Sequence, residues 1–368
     1  MSPAVSVVKC SSYKNCYSSI KKSVDLIGGI NSFVDKDDIV LIKPNLLAPR
    51  SSDSAVTTHP EFVRSVIKLV KKSGAKIYVG DSPGFSTTLK AAEKSGLKKI
   101  CDLEKVTLTD LGKPVTVHNP KGKIFKTFEL GSDLEKFTKI INLPKMKTHT
   151  LTTFTGAVKN MFGTISGKKK VGYHVKVPDI SDFSDMLIDL YLYHKNKTVL
   201  HIMDGIVGME CQGPNSGTPA HFNTILASDN AMSLDVIASK ILNLNNVPTI
   251  TVARKRRIKE SFEKNIDLRG NYLPSYKIKL PNSTIFLLLN RLMPFAKRFL
   301  TQKPYVINNI CTGCATCKEV CPKDAITIID NLPHFNYEKC IRCYCCQELC
   351  PKKAITLKKN ILSKILGK

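Results

Sequence analysis

The 368-residue chain is 42% hydrophobic, enough for two or three domains with real cores. Its 56 basic and 30 acidic residues leave a formal charge of +26, which suits an anionic partner such as nucleic acid, a membrane surface or an acidic small molecule. No apolar run reaches the ~18 residues of a membrane span and no secretory signal is read, so thirteen cysteines point to metal ligation in the cytoplasm rather than to disulfides.

In chain order, the first eight residues read as a short strand and Asp38 to Lys43 as a buried one. A helix starts near His59-Pro60, with proline in its favoured first-turn position. Phe62, Val63, Val66, Ile67 and Val70 form its apolar face, and Ser73-Gly74 ends it. Lys76 to Gly80 and Lys139 to Leu143 are strands, Phe183 to Tyr193 is a helix, and Thr198 to Met203 and Phe222 to Ala227 are strands. Ala231 to Leu244 is a further helix. The alternation predicts an α/β domain over residues 1–250, a mostly parallel sheet with flanking helices. Ligands of such sheets sit beyond the C-terminal strand ends. Polar segments fall there four times: Lys43-Pro44-Asn45, Asp81-Ser82-Pro83-Gly84, Pro144 to His149, and Asp204-Gly205. They are expected to share one cleft. Cys10 and Cys16 flank a strand-to-helix turn and Cys101 is expected in a loop; all three read as packing thiols.

Residues 251–304 read as a basic, amphipathic linker, with Arg254-Lys255-Arg256-Arg257 followed by the apolar stretch Ile285 to Leu300. Such a stretch suits a membrane surface or a partner. Pro294 interrupts it, which favours a linker that packs a small C-terminal domain onto the large one.

That small domain, residues 305–357, is expected to be an α+β ferredoxin-like unit, followed by a basic tail at 358–368. Cys311-x2-Cys314-x2-Cys317-x3-Cys321-Pro322 is followed by Cys340-x2-Cys343-x2-Cys346-x3-Cys350-Pro351. Three closely spaced thiolates grip three corners of one [4Fe-4S] cubane, and the fourth cysteine reaches the other cluster. Two [4Fe-4S] clusters are therefore expected. Cluster 1 uses Cys311, Cys314, Cys317 and Cys350, and cluster 2 uses Cys340, Cys343, Cys346 and Cys321. A zinc site would use four ligands in paired C-x2-C knuckles, which two triplets plus two outliers do not resemble. Cys345 has the wrong spacing for a ligand. The Ala-Ile-Thr that follows each Cys-Pro marks an internal duplication. Residues 305–357 hold six basic and five acidic groups, so the excess charge belongs to the rest of the chain.

Residues 145–172 gather lysines, a histidine, hydroxyls and glycines, the inventory of an anion-binding loop, without the spacing of a P-loop. Taken singly, each lysine is a solvated surface group and the histidine a hydrogen-bonded scaffold residue. Six segments together resemble a family known as domain of unknown function 362, in the branch with a C-terminal double-cluster ferredoxin domain. They are Lys43-Pro44-Asn45-Leu46, Gly80 to Gly84, Pro144-Lys145-x-Lys147-x-His149, Thr155-Gly156-x3-Asn160-x2-Gly163, Asp204-Gly205-x2-Gly208-Met209-Glu210, and Gly213-Pro214. The resemblance implies an α/β domain of unassigned activity in an iron–sulfur-cluster-binding protein of mainly anaerobic prokaryotes. Cys211 departs from it, standing where a glycine is expected.

The expected function is that of an iron–sulfur redox protein delivering electrons to an anionic substrate over the large domain. Lys43, Asn45, Lys145, Lys147, Lys159 and Asn160 would bind that substrate, and His149 or Asp81 would transfer protons. The alternative is an electron carrier that docks a partner oxidoreductase and has no substrate of its own. A redox partner protein is expected in either case. Nucleic acid is disfavoured, since tryptophan is absent and no basic motif is interleaved with aromatics.

Overall fold

Alternating apolar runs and amphipathic helices fold this chain into a large sheet covered on both faces. The computed structural model describes residues 2–84, 86–167, 169–177, 179–281 and 302–358. The expected apolar stretch Ile285 to Leu300 and nearly all of the expected tail lie outside the described residues.

The chain opens with β1 (Ala4–Lys9) and α1 (Cys16–Asp25). It continues through β2 (Ile39–Pro44), α2 (Pro60–Val70), β3 (Lys76–Gly80), α3 (Thr88–Ser95), α4 (Leu97–Leu103) and β4 (Thr107–Thr109). β5 (Pro114–His118) and β6 (Thr127–Gly131) make a separate antiparallel hairpin. Next come β7 (Lys139–Leu143), β8 (Lys145–His149), β9 (Thr153–Thr155) and α5 (Ala157–Asn160). They lead to α6 (Lys169–Lys176), α7 (Ile180–His194), β10 (Thr198–Glu210) and β11 (Thr218–Ser228). The large domain closes with α8 (Ala231–Ile241), α9 (Pro248–Lys255) and β12 (Asp267–Arg269).

The main sheet runs β12-β1-β11-β10-β7-β2-β3-β4, and β8 and β9 extend it beside β10. β10, β7, β2, β3 and β4 are mutually parallel, whereas β11 is antiparallel to both of its neighbours. Alternation along the strands sorts the core into two layers. Val40, Ile42, Ile141 and Ile202 face α1 to α4, and Leu41, Ile140 and Met203 face α7, α8 and α9. At the start of α2, His59 Nδ1 accepts the Glu61 N–H at 3.2 Å and Pro60 sits in the first turn. Gly74, at φ 82°, follows the turn that ends it.

Four placements differ from expectation. β10 is 13 residues long and does not stop at Met203, so Asp204-Gly205 lies inside a strand. Pro144 separates β7 from β8, which both pair with β10, and its carbonyl accepts the Asp204 N–H at 2.9 Å. Lys145 to His149 is therefore strand and not loop. Gly208 permits this, because a Cβ there would stand 2.2 Å from the Met146 carbonyl oxygen. Cys101 is buried on α4 and not in a loop. The first part of the expected linker also belongs with the large sheet: α9 packs on α7, and β12 pairs with β1.

The C-terminal unit contains β13 (Lys303–Val306), α10 (Thr316–Glu319), β14 (Ile326–Ile329), β15 (Leu332–Phe335), α11 (Cys345–Leu349) and β16 (Ile355–Lys358). β13 pairs with β16, and β14 with β15, both antiparallel. The two halves repeat each other closely. α10 and α11 each follow a left-handed residue, Ala315 at φ 57° and Tyr344 at φ 62°. The N–H groups of Ala325 and Ala354 each donate to a cysteine sulfur four residues back, Cys321 and Cys350, both at 3.2 Å.

Candidate functional site

The eight motif cysteines divide between two voids. Cys311, Cys314, Cys317 and Cys350 line the first, closed by Ile328, Pro333, Ala354 and Ile355. Cys321, Cys340, Cys343 and Cys346 line the second, closed by Pro322, Ile326, Phe335 and Tyr344. Among the described residues no three His, Cys, Asp or Glu side chains converge closely enough to hold a single metal ion. Thiolates that surround a space, with apolar walls and N–H donors to sulfur, fit a cubane cluster better than a zinc ion.

A third cavity, of about 90 Å³, lies where the C-terminal unit meets the large domain. Asn45, Asp81, Ser82, Lys147, His149, Thr155, Lys159, Asn160, Lys170 and His174 line it from the large domain. Cys345, Glu348 and Leu349 line it from α11. Spacings of three and four put those three residues on one helix face, while the intervening Cys346 lines the cysteine void behind. One short helix thus separates the cavity from the cysteine quartets.

The cavity carries more cations than counterions. Lys147 is 1% exposed and among the described residues pairs with no carboxylate; its Nζ donates to Asn45 Oδ1 at 2.8 Å and to the Val56 carbonyl at 2.7 Å. Burial, reinforced by Lys159 and Lys145, pushes its pKa well below the usual lysine value. Asn45 is held in turn by an amide ladder. Its Nδ2 donates to Asn160 Oδ1 at 2.8 Å, and Asn160 Nδ2 donates to Asn142 Oδ1 at 2.7 Å. Among the described residues Lys159 makes no hydrogen bond or ion pair, and its Nζ stands 5.6 Å from the centre of the Phe162 ring. Burial lowers its pKa, opposed by Glu348 and Cys345. Lys170 donates to the carbonyls of Ser82 and Ile165, and burial brings its pKa down to about 7. The buried Thr155 hydroxyl has no hydrogen-bond partner among the described residues.

His149 Nδ1 accepts the N–H groups of Leu151 and Thr152 at 3.1 and 3.3 Å, so the ring proton belongs on Nε2. That nitrogen stands 3.3 Å from Glu348 Oε1, across the boundary between the two units. Burial, with Lys159 and Lys147 nearby, holds the imidazole neutral. Burial also pushes the Glu348 carboxyl up to about 7, against the pull of Lys159 and Lys147. Thr153 pairs with His149 across the β8–β9 hairpin and holds φ 65°, a left-handed geometry that β-branched residues rarely adopt.

The expected site residues fall into two groups. Asn45, Asp81, Lys147, His149, Lys159 and Asn160 come together at the cavity. Lys43 stands behind it, with Nζ 2.8 Å from Asp81 Oδ1; the contact is a close ion pair whose angle does not make a hydrogen bond. Asp81 Oδ2 accepts the Leu46 N–H at 2.8 Å. Gly163 lies against this pair, and a Cβ there would be 2.1 Å from Asp81 Oδ1 and 2.5 Å from Lys43 Nζ. Lys145, expected at the substrate, is not among the cavity residues. Its Nζ is bound to Asp204 Oδ2 at 2.7 Å and to the Tyr13 hydroxyl at 2.9 Å. Glu348, Cys345 and His174 stand outside the expected site, whereas Lys170 and Thr155 lie in the expected anion-binding stretch 145–172 but are not among the residues assigned a role there. The spacing of Cys345, Glu348 and Leu349 on one helix face is the signal that could have found the first two.

Residues 40–240 match the family model described as Domain of unknown function (DUF362), and residues 303–351 match the 4Fe-4S dicluster domain. A thylakoid-associated protein of Synechocystis sp. is 31% identical over 266 residues, which is 70% of this chain and 80% of that protein. The lactate racemase apoprotein from Thermoanaerobacterium thermosaccharolyticum is a structural neighbour with TM-score 0.36 and 13% identity. That match covers 59% of this chain and 54% of the neighbour, so the chain spans about half of it. The chain belongs to the DUF362 family, in a form whose C-terminal 4Fe-4S ferredoxin-type domain gives it an iron–sulfur electron-transfer role.

Proposed function

We propose that the protein is an oxidoreductase with two [4Fe-4S] clusters that passes electrons to a small anion held in the cavity beneath α11. The observation that carries this reading is a set of lysines without ion-pair partners among the described residues, which shares one short helix with the cysteine quartets. When bound, the clusters supply one-electron transfer. Cys311, Cys314, Cys317 and Cys350 would hold cluster 1, and Cys340, Cys343, Cys346 and Cys321 cluster 2. Lys147 and Lys159 neutralise the anion, Thr155 donates to it, and Asn45 and Asn160 fix the direction of Lys147. The Lys43–Asp81 pair braces the cavity wall. His149 Nε2–H, facing Glu348 on the cluster-bearing helix, supplies the proton.

Cys314 is exposed, so a redox partner protein can deliver electrons on that side. Cluster assembly requires reduced thiols, which supports a cytoplasmic site. Among the described residues no helix is long and apolar enough to cross a membrane.

Two measurements test the reading. Anaerobically purified protein should contain about eight iron and eight sulfide per chain; bound zinc with little iron would refute the clusters. Mass spectrometry of the released small molecules should find an anion in the wild type that Lys159→Met and Thr155→Val lose while keeping their iron. If the wild type holds no anion, or the variants retain it equally, the carrier with no substrate of its own replaces this reading.

A further inference from the structure

Arg50 belongs to the segment between β2 and α2 and is half-buried against the C-terminal unit. Its Nη2 donates to the Cys350 carbonyl at 2.8 Å, and its Nη1 donates to the Pro351 carbonyl. Its Nε donates to Asn215 Oδ1 at 2.9 Å. Asn215, itself buried, extends the grip by donating from Nδ2 to the Glu348 carbonyl at 2.7 Å. Two side chains of the large domain thus cap three carbonyls at and just beyond the C-terminal end of α11. The Cys350 carbonyl also accepts the Lys353 N–H at 3.2 Å, and a cation is favoured at the carbonyl end of a helix. The partners of Arg50 in these hydrogen bonds are neutral oxygens, so they do not cancel its charge. The contacts fall at or beside Cys350, a cysteine of the first quartet, and none falls on a cysteine of the second.

We propose that Arg50, positioned by Asn215, raises the reduction potential of the cluster held by Cys311, Cys314, Cys317 and Cys350 and fastens that cluster to the large domain. This rests on the two-cluster reading above. One-electron reduction adds a negative charge to a cluster, and a fixed, half-buried cation beside it favours the reduced form. The carbonyls of Cys350 and Pro351 direct their negative ends at the guanidinium. Arg50 therefore biases the electron towards the cluster tied to the cavity's domain. Its role is positioning and electrostatic, and it need not touch any substrate.

The test is an anaerobic potentiometric titration of the full chain, followed by electron paramagnetic resonance, on wild type, Arg50→Gln, Arg50→Lys and Asn215→Ala. In Arg50→Gln one reduction step moves to lower potential and the other stays. If the wild-type steps coincide, the substitution separates them. Arg50→Lys, which keeps the charge but loses the planar fork, recovers part of the shift, and Asn215→Ala gives a smaller one. An Arg50→Gln curve that superimposes on the wild type at full iron and sulfide content overturns the proposal, as does an equal movement of both steps. If Arg50→Gln does not load clusters, unchanged curves for Arg50→Lys and Asn215→Ala overturn it. Wild-type iron far below about eight per chain would remove the two-cluster reading first, and this proposal with it.

Discussion

Lys145 and Lys147 stand two residues apart on β8 and are both 1% exposed, yet methionine at the two positions should affect stability very differently. Lys145 is paired with Asp204, which is 0% exposed. Removing the lysine leaves that carboxylate with only the Tyr13 hydroxyl and the His59 and Ile206 N–H groups. Breaking a buried ion pair from one side costs about 3–5 kcal/mol. At roughly 2–4 °C per kcal/mol, the melting temperature should fall by on the order of 10 °C. Among the described residues Lys147 has no carboxylate partner and donates to Asn45 Oδ1 and the Val56 carbonyl. Methionine there leaves two acceptors unpaired, at about 1–3 kcal/mol each. It also removes a buried ammonium whose desolvation costs several kcal/mol. These terms oppose each other, so Lys147→Met should stay within about 2 kcal/mol of the wild type while losing the bound anion. The assay is anaerobic thermal unfolding followed by far-UV circular dichroism, with iron content checked before each scan. A loss for Lys147→Met as large as that for Lys145→Met would refute the reasoning, since it would mean that Lys147 has a structural counterion.

Cys211 holds φ 64°, where a residue with a Cβ pays about 1–2 kcal/mol. Cys211→Gly relieves that cost against glycine's ~0.5–1 kcal/mol of extra unfolded-state freedom, so a stability gain of about 0.5–1 kcal/mol, read as a higher urea midpoint at unchanged slope, is expected. Gly163→Ala drives a methyl into the buried Lys43–Asp81 pair. It should cost about 1–3 kcal/mol and abolish anion retention while iron content is unchanged; loss of iron instead would mean that the damage spreads to the C-terminal unit. Burial pushes His174, His194 and His201 down to about 3. Unfolded histidines protonate near ~6.5, so the stability these neutral rings contribute is complete above that pH and is lost as pH falls towards 3. At pH 5 each contributes about 2 kcal/mol of destabilisation. The urea midpoint of the large domain should therefore drop steeply below pH 6.5, and His201→Gln should make that slope shallower.

Much of this was legible in the residues because local physics dominates it. Lys76–Gly80 and Lys139–Leu143 are short apolar runs with unambiguous boundaries, and both are strands at the expected positions. The cysteine spacing prescribes which thiols can share a void, independent of the rest of the fold. The length of β10 was not legible, because its second half reads as turn: Asp204, Gly205 and Gly208 are poor strand residues. They are tolerated since Asp204 is paired with Lys145 and Gly208 admits the β8 backbone. The distinction between Lys145 and Lys147 was equally hidden, since only the fold brings Asp204 beside one and leaves the other without a carboxylate. Glu348 and Arg50 were missed because their roles arise from contact between two units that are distant in sequence.

The most direct test of the account is an anomalous difference map at the iron absorption edge from anaerobically grown crystals. The account predicts two iron clusters, one inside the Cys311, Cys314, Cys317 and Cys350 quartet and one inside the Cys321, Cys340, Cys343 and Cys346 quartet, with anion density between Lys147, Lys159 and Thr155 in the ordinary map. A single metal ion at either motif, or a signal at the zinc edge in place of iron, would contradict it.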